Sequence, residues 1–299
     1  MNRDKRTSHG RGRVLAVAVG VVALGVAGVW GVSQLRPASS PQAPKVAASP
    51  SPSPSRSMAL TKSHFVAHPQ PVPILVYHHV LPAELGPQLL YVSPRQFAEE
   101  LACLKRHHYQ AVTLRQVYDA WTGKGILPAH PIVISFDDGY VDQMRIAAPR
   151  LRRYHWPAEL DLILDTLYQG PHAPSTRVTT AMVRKLLAQG WELESHTVSH
   201  RNLTMLSASD LRRELVYSRR RLQEIFKVPV DFLCYPGGEQ NARVRRAVHR
   251  VGYLAATGTA FAVATPRQLY ALPRIYCYWG ESLSVFARRL RVTMAAARK

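Results

Sequence analysis

From Pro71 onward short apolar runs alternate with helical patterns, as expected of a βα protein whose parallel strands are buried on both faces. Ile74-Leu75-Val76-Tyr77 is the first predicted strand. Ser93 then caps a helix, with Pro94 at its first position, Gln96 as capping-box partner, and Phe97, Leu101 and Leu104 on one face. Residues 132–136 form a continuous, β-branched apolar run, too short for a helix, and predict a core strand. Beyond it the pattern predicts a helix over 180–189 stopped by Gly190, a strand over 191–195, a helix after Ser207 with Asp210 completing its cap, and a strand over 232–235. A helix over 243–251 and late strands over 254–257 and 270–278 complete the series.

The first seventy residues read differently. Residues 1–13 carry five arginines and lysines, and residues 14–32 are an uncharged run of Val, Ala, Gly and Leu with one Trp. At about 1.5 Å per residue this run approaches the roughly 30 Å hydrocarbon core of a bilayer, longer than the roughly 7 to 15 apolar residues of a cleaved signal. We therefore expect a transmembrane anchor over 14–32, with a secreted protein as the alternative. The basic flank should stay in the cytoplasm and the rest of the chain lie outside. Residues 33–70, rich in Pro, Ser and Ala, predict a semi-extended tether, and residues 71–299 the folded domain.

The chain of 299 residues carries a net charge of +20, of which the segment up to Ser57 supplies +7 and the remainder +13. Such a field attracts anionic polymers and membranes. The basic residues are dispersed, with neither an aromatic platform nor finger spacing, so no nucleic-acid partner is expected. Cys103, Cys234 and Cys277 are far apart, form no C-x-x-C pair, and read as buried small hydrophobes.

Three predicted strand ends carry polar groups: Asp137-Asp138-Gly139, His196-Thr197-Val198-Ser199-His200, and Tyr235-Pro236-Gly237-Gly238. In an α/β barrel such ends converge on one site. Either motif alone has an ordinary reading, Asp-Asp-Gly as a turn and His-x3-His as surface or cap chemistry. Together, two histidines on one helical turn and a carboxylate from another strand make a metal-ligand set with positions left for water. Asp138 would join His196 and His200 as ligands, leaving Asp137 as general base. Thr197 stands where a His-Glu-x-x-His metallopeptidase needs Glu, and no G-x-S-x-G elbow, P-loop or dinucleotide fingerprint occurs.

Over roughly residues 71–290 the chain resembles the polysaccharide deacetylases with a NodB homology domain, carbohydrate esterase family 4. The family's Thr-Phe-Asp-Asp-Gly motif is similar to Ser135-Phe136-Asp137-Asp138-Gly139, and its His-Ser/Thr-x-x-His motif to His196–His200. The resemblance implies an α/β fold, a distorted (β/α)7 barrel, and one divalent metal, zinc first, with cobalt, nickel, iron or manganese as alternatives. It implies hydrolysis of N-acetyl groups on polysaccharide, with Asp137 as base and Asp138, His196 and His200 as metal ligands.

The resemblance is incomplete at two motifs. Where the family has Arg-x-Pro-Tyr, this chain has Cys234-Tyr235-Pro236-Gly237, which leaves the Gly237 N–H as the oxyanion donor, with Tyr235 beside it as a substrate contact. The late histidine of the family's acid motif is absent, since no His follows His249. Val76-Tyr77-His78-His79 resembles the N-terminal Tyr-His segment of some branches, which implies His78 as general acid, and Arg274 resembles the late arginine that holds the catalytic Asp. Together these imply a bacterial, membrane-anchored, extracytoplasmic deacetylase acting on N-acetylated cell-wall or extracellular polysaccharide. An O-acetyl esterase and a glycan-binding module without turnover are the alternatives, and the oligomeric state stays open.

Overall fold

The computed structural model describes residues 70–169 and 176–297. The expected anchor at 14–32 and all but the last residue of the tether at 33–70 lie outside the described residues. Among the described residues no helix is long and apolar enough to cross a membrane.

The described residues form ten strands: β1 (Ile74–Tyr77), β2 (His79–Val80), β3 (Tyr91–Val92), β4 (Gln110–Ala111), β5 (Pro131–Asp137), β6 (Glu159–Leu162), β7 (Glu192–Ser195), β8 (Phe232–Cys234), β9 (Ala255–Thr257) and β10 (Ile275–Tyr276). Seven helices accompany them: α1 (Pro94–Arg106), α2 (Leu114–Trp121), α3 (Ala148–Arg152), α4 (Thr180–Leu187), α5 (Ala208–Phe226), α6 (Ala242–Val251) and α7 (Leu283–Ala297). The main sheet runs β10-β1-β5-β6-β7-β8-β9, all neighbours parallel, with β4 added beside β5. Seven parallel strands thus curl into a half-barrel. The ladder is not continuous around the ring: β9 meets the segment leading into β10 only through the single bridge Thr257–Leu272.

Helix boundaries follow their caps. Ser93, Thr113, Thr179, Ser207 and Asn241 each accept a hydrogen bond from the third residue on, and Thr113 with Gln116 forms a complete capping box. The expected box at Ser93 is half-formed, because Gln96 Nε2 donates instead to Glu100 Oε1 and the Tyr278 carbonyl, 2.9 and 2.8 Å away. α6 stops at Gly252, whose φ of 92° suits glycine.

Alternation along the strands sorts two layers. Leu75, Tyr77, Ile134, Phe136, Leu160, Leu162, Leu193 and Leu233 join the helices in the large outer core, while Ile74, Val133, Phe232 and Ala255 pack with Val117 of α2 in a smaller cluster. Two expectations needed revision. The predicted strand over 270–278 contracts to β10, because Pro273 and the turn Pro266–Ala271 occupy its first half. β6 was not predicted at all: in Glu159-Leu160-Asp161-Leu162 the acids at alternate positions break the apolar run that marked the β5 strand, yet the segment is buried on both faces.

Candidate active site

The inward positions toward the C-terminal strand ends are His78 after β1, Ser135 and Asp137 on β5 and Cys234 on β8, and the long side chain of Arg274 reaches them from just before β10. Arg274 is 1% exposed, and its fork closes on Asp137: Nη1 donates to Oδ1 at 2.6 Å and Nη2 to Oδ2 at 2.8 Å. Its remaining donors are also used. Nη1 reaches Ser135 Oγ at 3.1 Å and Asp161 Oδ2 at 3.2 Å, Nη2 reaches Cys234 Sγ at 3.1 Å, and Nε reaches the Gly258 carbonyl at 3.0 Å. Burial by itself would raise the Asp137 pKa; the guanidinium outweighs it and holds the group well below the usual carboxylate range. Asp137 is therefore an anion at neutral pH.

His78 and His79 point apart, as alternation requires. His78 Nε2 lies 3.6 Å from Asp137 Oδ2, its ring is parallel to that of Tyr276 at 6.0 Å, and its buried Nδ1 has no partner. Burial lowers the His78 pKa, an effect opposed by Asp137 and Asp138. His79 instead meets Asp142 Oδ2 through Nδ1 at 2.9 Å and is stacked between Tyr91 and Tyr140, while Asp142 Oδ1 accepts the Val80 N–H. Gln143, opening a π-helical turn, ties the two strand ends together by donating to the His78 and Asp137 carbonyls.

Asp138 leaves β5 with φ 72°, and Gly139 follows at φ 71°, where a Cβ would meet Leu162 Cδ1 at 2.5 Å. This tight turn brings Asp138 Oδ1 to 3.6 Å from His196 Nε2 and 3.7 Å from His200 Nε2. His196 Nδ1 donates to the Cys234 carbonyl at 2.8 Å, which fixes the ring and leaves Nε2 with a free lone pair. His196–His200 was expected on a helical turn. It is instead a non-helical loop, with Thr197 and His200 at φ 69° and 58°, held by Glu214 through the N–H groups of Val198 and Ser199 at 2.8 and 3.0 Å. Asp138 Oδ1 is buried without a hydrogen-bond partner. An orphaned carboxylate oxygen facing two imidazole Nε2 atoms fits a divalent cation bound by two nitrogens and one oxygen.

The remaining sequence candidates fall differently. Gly237 sits at φ 60° in the exposed turn following β8. The Tyr235 side chain faces the outer core, where its hydroxyl donates to the Tyr270 carbonyl at 3.0 Å, so the alternation that sends Cys234 inward sends Tyr235 away from Asp137. Cys234, read from sequence as a plain buried hydrophobe, lies against the Asp137–Arg274 pair.

Below the mouth stands a group that sequence reasoning missed: Glu159 and Asp161 of β6 facing Glu192 and Glu194 of β7, in register. Buried oxygens of Glu159, Asp161 and Glu194 have no N–H donor. As acids, these side chains hydrogen-bond in sequence, Asp161 with Glu194, Glu194 with Glu159, and Glu159 with Glu192. Burial, followed by repulsion from a neighbouring carboxylate, pushes Glu159, Asp161 and Glu194 well above the usual range. Glu159 and Glu192 accept the first N–H groups of α2, from Leu114 and Arg115 at 2.8 and 2.9 Å. The signal was there in the E-L-D-L and E-L-E-S alternations.

Comparison with known proteins gives one family match, over residues 124–256, to the family described as Polysaccharide deacetylase. The Bacillus subtilis (strain 168) protein YxkH, whose name assigns it to the polysaccharide deacetylases, is 26% identical over 219 residues, covering 73% of this chain and 75% of its own. Poly-beta-1,6-N-acetyl-D-glucosamine N-deacetylase of Escherichia coli (strain K12) is 20% identical over 252 residues, covering 72% of this chain and 38% of that protein. Among solved structures, the Streptococcus pyogenes deacetylase PplD in complex with acetate shares the fold with TM-score 0.67 at 23% identity, covering 76% of this chain and 99% of that one. A Bacillus cereus polysaccharide deacetylase does so with TM-score 0.65 at 24% identity, covering 74% and 69%.

Proposed function

On the premise that this chain carries a polysaccharide deacetylase domain and is a hydrolase of that family, we propose that it removes N-acetyl groups from a cell-wall or extracellular polysaccharide. The observation that carries the reading is the juxtaposition at the barrel mouth. Asp137, held ionised by Arg274, adjoins Asp138 with its two facing imidazoles, and His78 Nε2 stands 3.6 Å from Asp137 Oδ2. The N-deacetylase named among the relatives supports the amide over the ester as the bond cleaved.

Asp138, His196 and His200 would hold the cation, with zinc first among the candidates. When bound, such an ion supplies Lewis acidity toward the acetyl carbonyl and makes water more acidic. Asp137 orients the attacking water and accepts its proton. Because burial leaves His78 unprotonated at neutral pH, the proton it gives to the departing amine is one acquired during the reaction, by way of the Asp137 side. The Gly237 N–H is assigned to the developing oxyanion, and Tyr235 contributes through its backbone position alone.

Residues 14–32 would anchor the enzyme in the membrane, with the catalytic domain outside and the tether at 33–70 giving it reach. The test is acetate release by the purified full chain from β-1,6-linked N-acetylglucosamine oligomers, chitooligosaccharides, peptidoglycan and acetylxylan. Release from the amide substrates at a rate above that from acetylxylan is expected. Release from acetylxylan alone would replace the reading with an ester hydrolase, and no release from any of them would replace it with a binding module.

A further inference from the structure

One guanidinium serves two carboxyl groups inside this barrel. Asp137 and Asp161 are register partners on β5 and β6, and both reach Arg274 Nη1, Asp137 at 2.6 Å and Asp161 at 3.2 Å. Asp137 also takes Nη2, so the charge of Arg274 is committed to it by a two-pronged contact. Asp161 takes the single longer contact, and its other oxygen, Oδ1, has no N–H donor although the residue is 0% exposed. Two anions on one buried cation would leave an uncompensated negative charge in the interior, which burial strongly disfavours. An uncharged acid with its carbonyl toward Arg274 avoids that cost. The groups facing Asp161 are Asp137 of β5, Glu194 of β7, Cys234 of β8 and Arg274 ahead of β10, and only the last brings positive charge.

We propose that Asp161 is a positioning residue: it anchors Arg274 from inside the barrel, so that the guanidinium fork stays aimed at both oxygens of Asp137. Without it, Nη1 keeps only Ser135 Oγ besides Asp137, and the fork loses its one contact from the β6 side. The inference rests on the reading of Asp137 as the base. Its structural half, the hold on Arg274, can be read without turnover.

The experiment compares Asp161→Asn, which keeps a neutral acceptor of the same shape, with Asp161→Val, Asp161→Ala and Asp161→Ser, which remove it. Three properties of the full chain are followed: exchange of the Arg274 guanidinium N–H protons by nitrogen-15 NMR, kcat and KM for the best amide substrate, and bound metal. In the acceptor-deleting variants exchange should quicken by about tenfold or more, the effect of losing one hydrogen bond to a charged group. kcat should fall by about tenfold, the effect of losing one hydrogen bond that aims the fork, with KM and metal content unchanged. Asp161→Asn should match wild type in every readout. The inference is overturned if Asn shows the same losses as Val, Ala or Ser, or if those three leave N–H exchange at the wild-type rate. The serine variant, small and polar, preserves the comparison should the apolar ones fail to fold. A wild-type chain that releases no acetate would overturn the functional reading while N–H exchange still decides the role of Asp161.

Discussion

Asp137 and Asp161 lie side by side on neighbouring strands, both buried and both touching Arg274, yet their acidities are driven in opposite directions. Asp137, at the mouth, owns the guanidinium and stays ionised; Asp161, one strand over, is pushed toward the neutral acid by burial and by Glu194. The rest of each region follows suit. Mouth groups meet positive charge or imidazole lone pairs, whereas the β6 and β7 acids meet one another and the amide hydrogens of α2. Asp137 and Asp161 are themselves almost equally buried, 3% and 0% exposed. What separates a carboxyl group held ionised from one pushed toward the neutral acid here is therefore the partner, a conclusion no ranking by exposure would reach.

The largest break in this comparison comes from the ligand set. Asp138→Ala, His196→Ala or His200→Ala should each empty the cation site and abolish acetate release, as read by metal analysis beside a turnover assay, while Glu194→Gln in the interior should leave the metal in place. Retention of a full equivalent of metal by Asp138→Ala would mean that the three residues are not the ligands.

Next in size is His78. Its replacement by alanine should cost about 10²- to 10⁴-fold in kcat, the usual range for a lost general acid, with metal retained. The neighbouring His79→Ala, which removes the bond to Asp142, should lower stability by about 1–2 kcal/mol and leave turnover near wild type. Reversal of those two outcomes in parallel kinetic and denaturation measurements would place the wrong histidine at the mouth.

A smaller effect sharpens the comparison through pH, because the two regions act with opposite sign. Asp137 has its pKa depressed, so its contribution to stability is present above about 3.9, the unfolded Asp value, and is lost as pH falls toward the folded value. Glu159, Asp161 and Glu194 have theirs raised, so their contribution is complete below about 4 and is lost as pH rises from there through their folded values. Glu100, pushed up to about 7 by burial, behaves the same way between about 4.3 and 7. Glu194→Gln should accordingly gain Tm relative to wild type at pH 8 and gain less at pH 4. The opposite trend in a Tm series across pH would show that the interior acids are ionised.

Much of this arrangement was legible in the sequence, and for identifiable reasons. Strands such as β5 announce themselves as apolar runs, and Asp137 and Asp138 at the end of that run, like His196 and His200 after the predicted strand over 191–195, stand where a parallel barrel gathers its chemistry. β6 escaped because acids at alternate positions break the apolar run by which β5 was found, and only the closed interior shows that both of its faces are dry. The His196–His200 turn was misjudged as helical because the spacing suits a helix, whereas the anchoring carboxylate, Glu214, comes from α5 and is invisible to local pattern. Tyr235 illustrates the same limit from the other side: the residue is adjacent to the site in sequence, yet one step of strand alternation removes its side chain. Arg274 joins Asp137 across 137 residues, a pairing that the family resemblance suggested and local spacing could not.

The central claim is that Asp137 is an ionised base beside, and separate from, the cation ligands. Metal stoichiometry and acetate release of Asp137→Asn, measured on one preparation with wild type alongside, test it most directly. The account predicts one bound equivalent, as in wild type, with acetate release reduced by at least about 10²-fold. An Asp137→Asn protein that has lost its metal, or one that turns over at the wild-type rate, would contradict it.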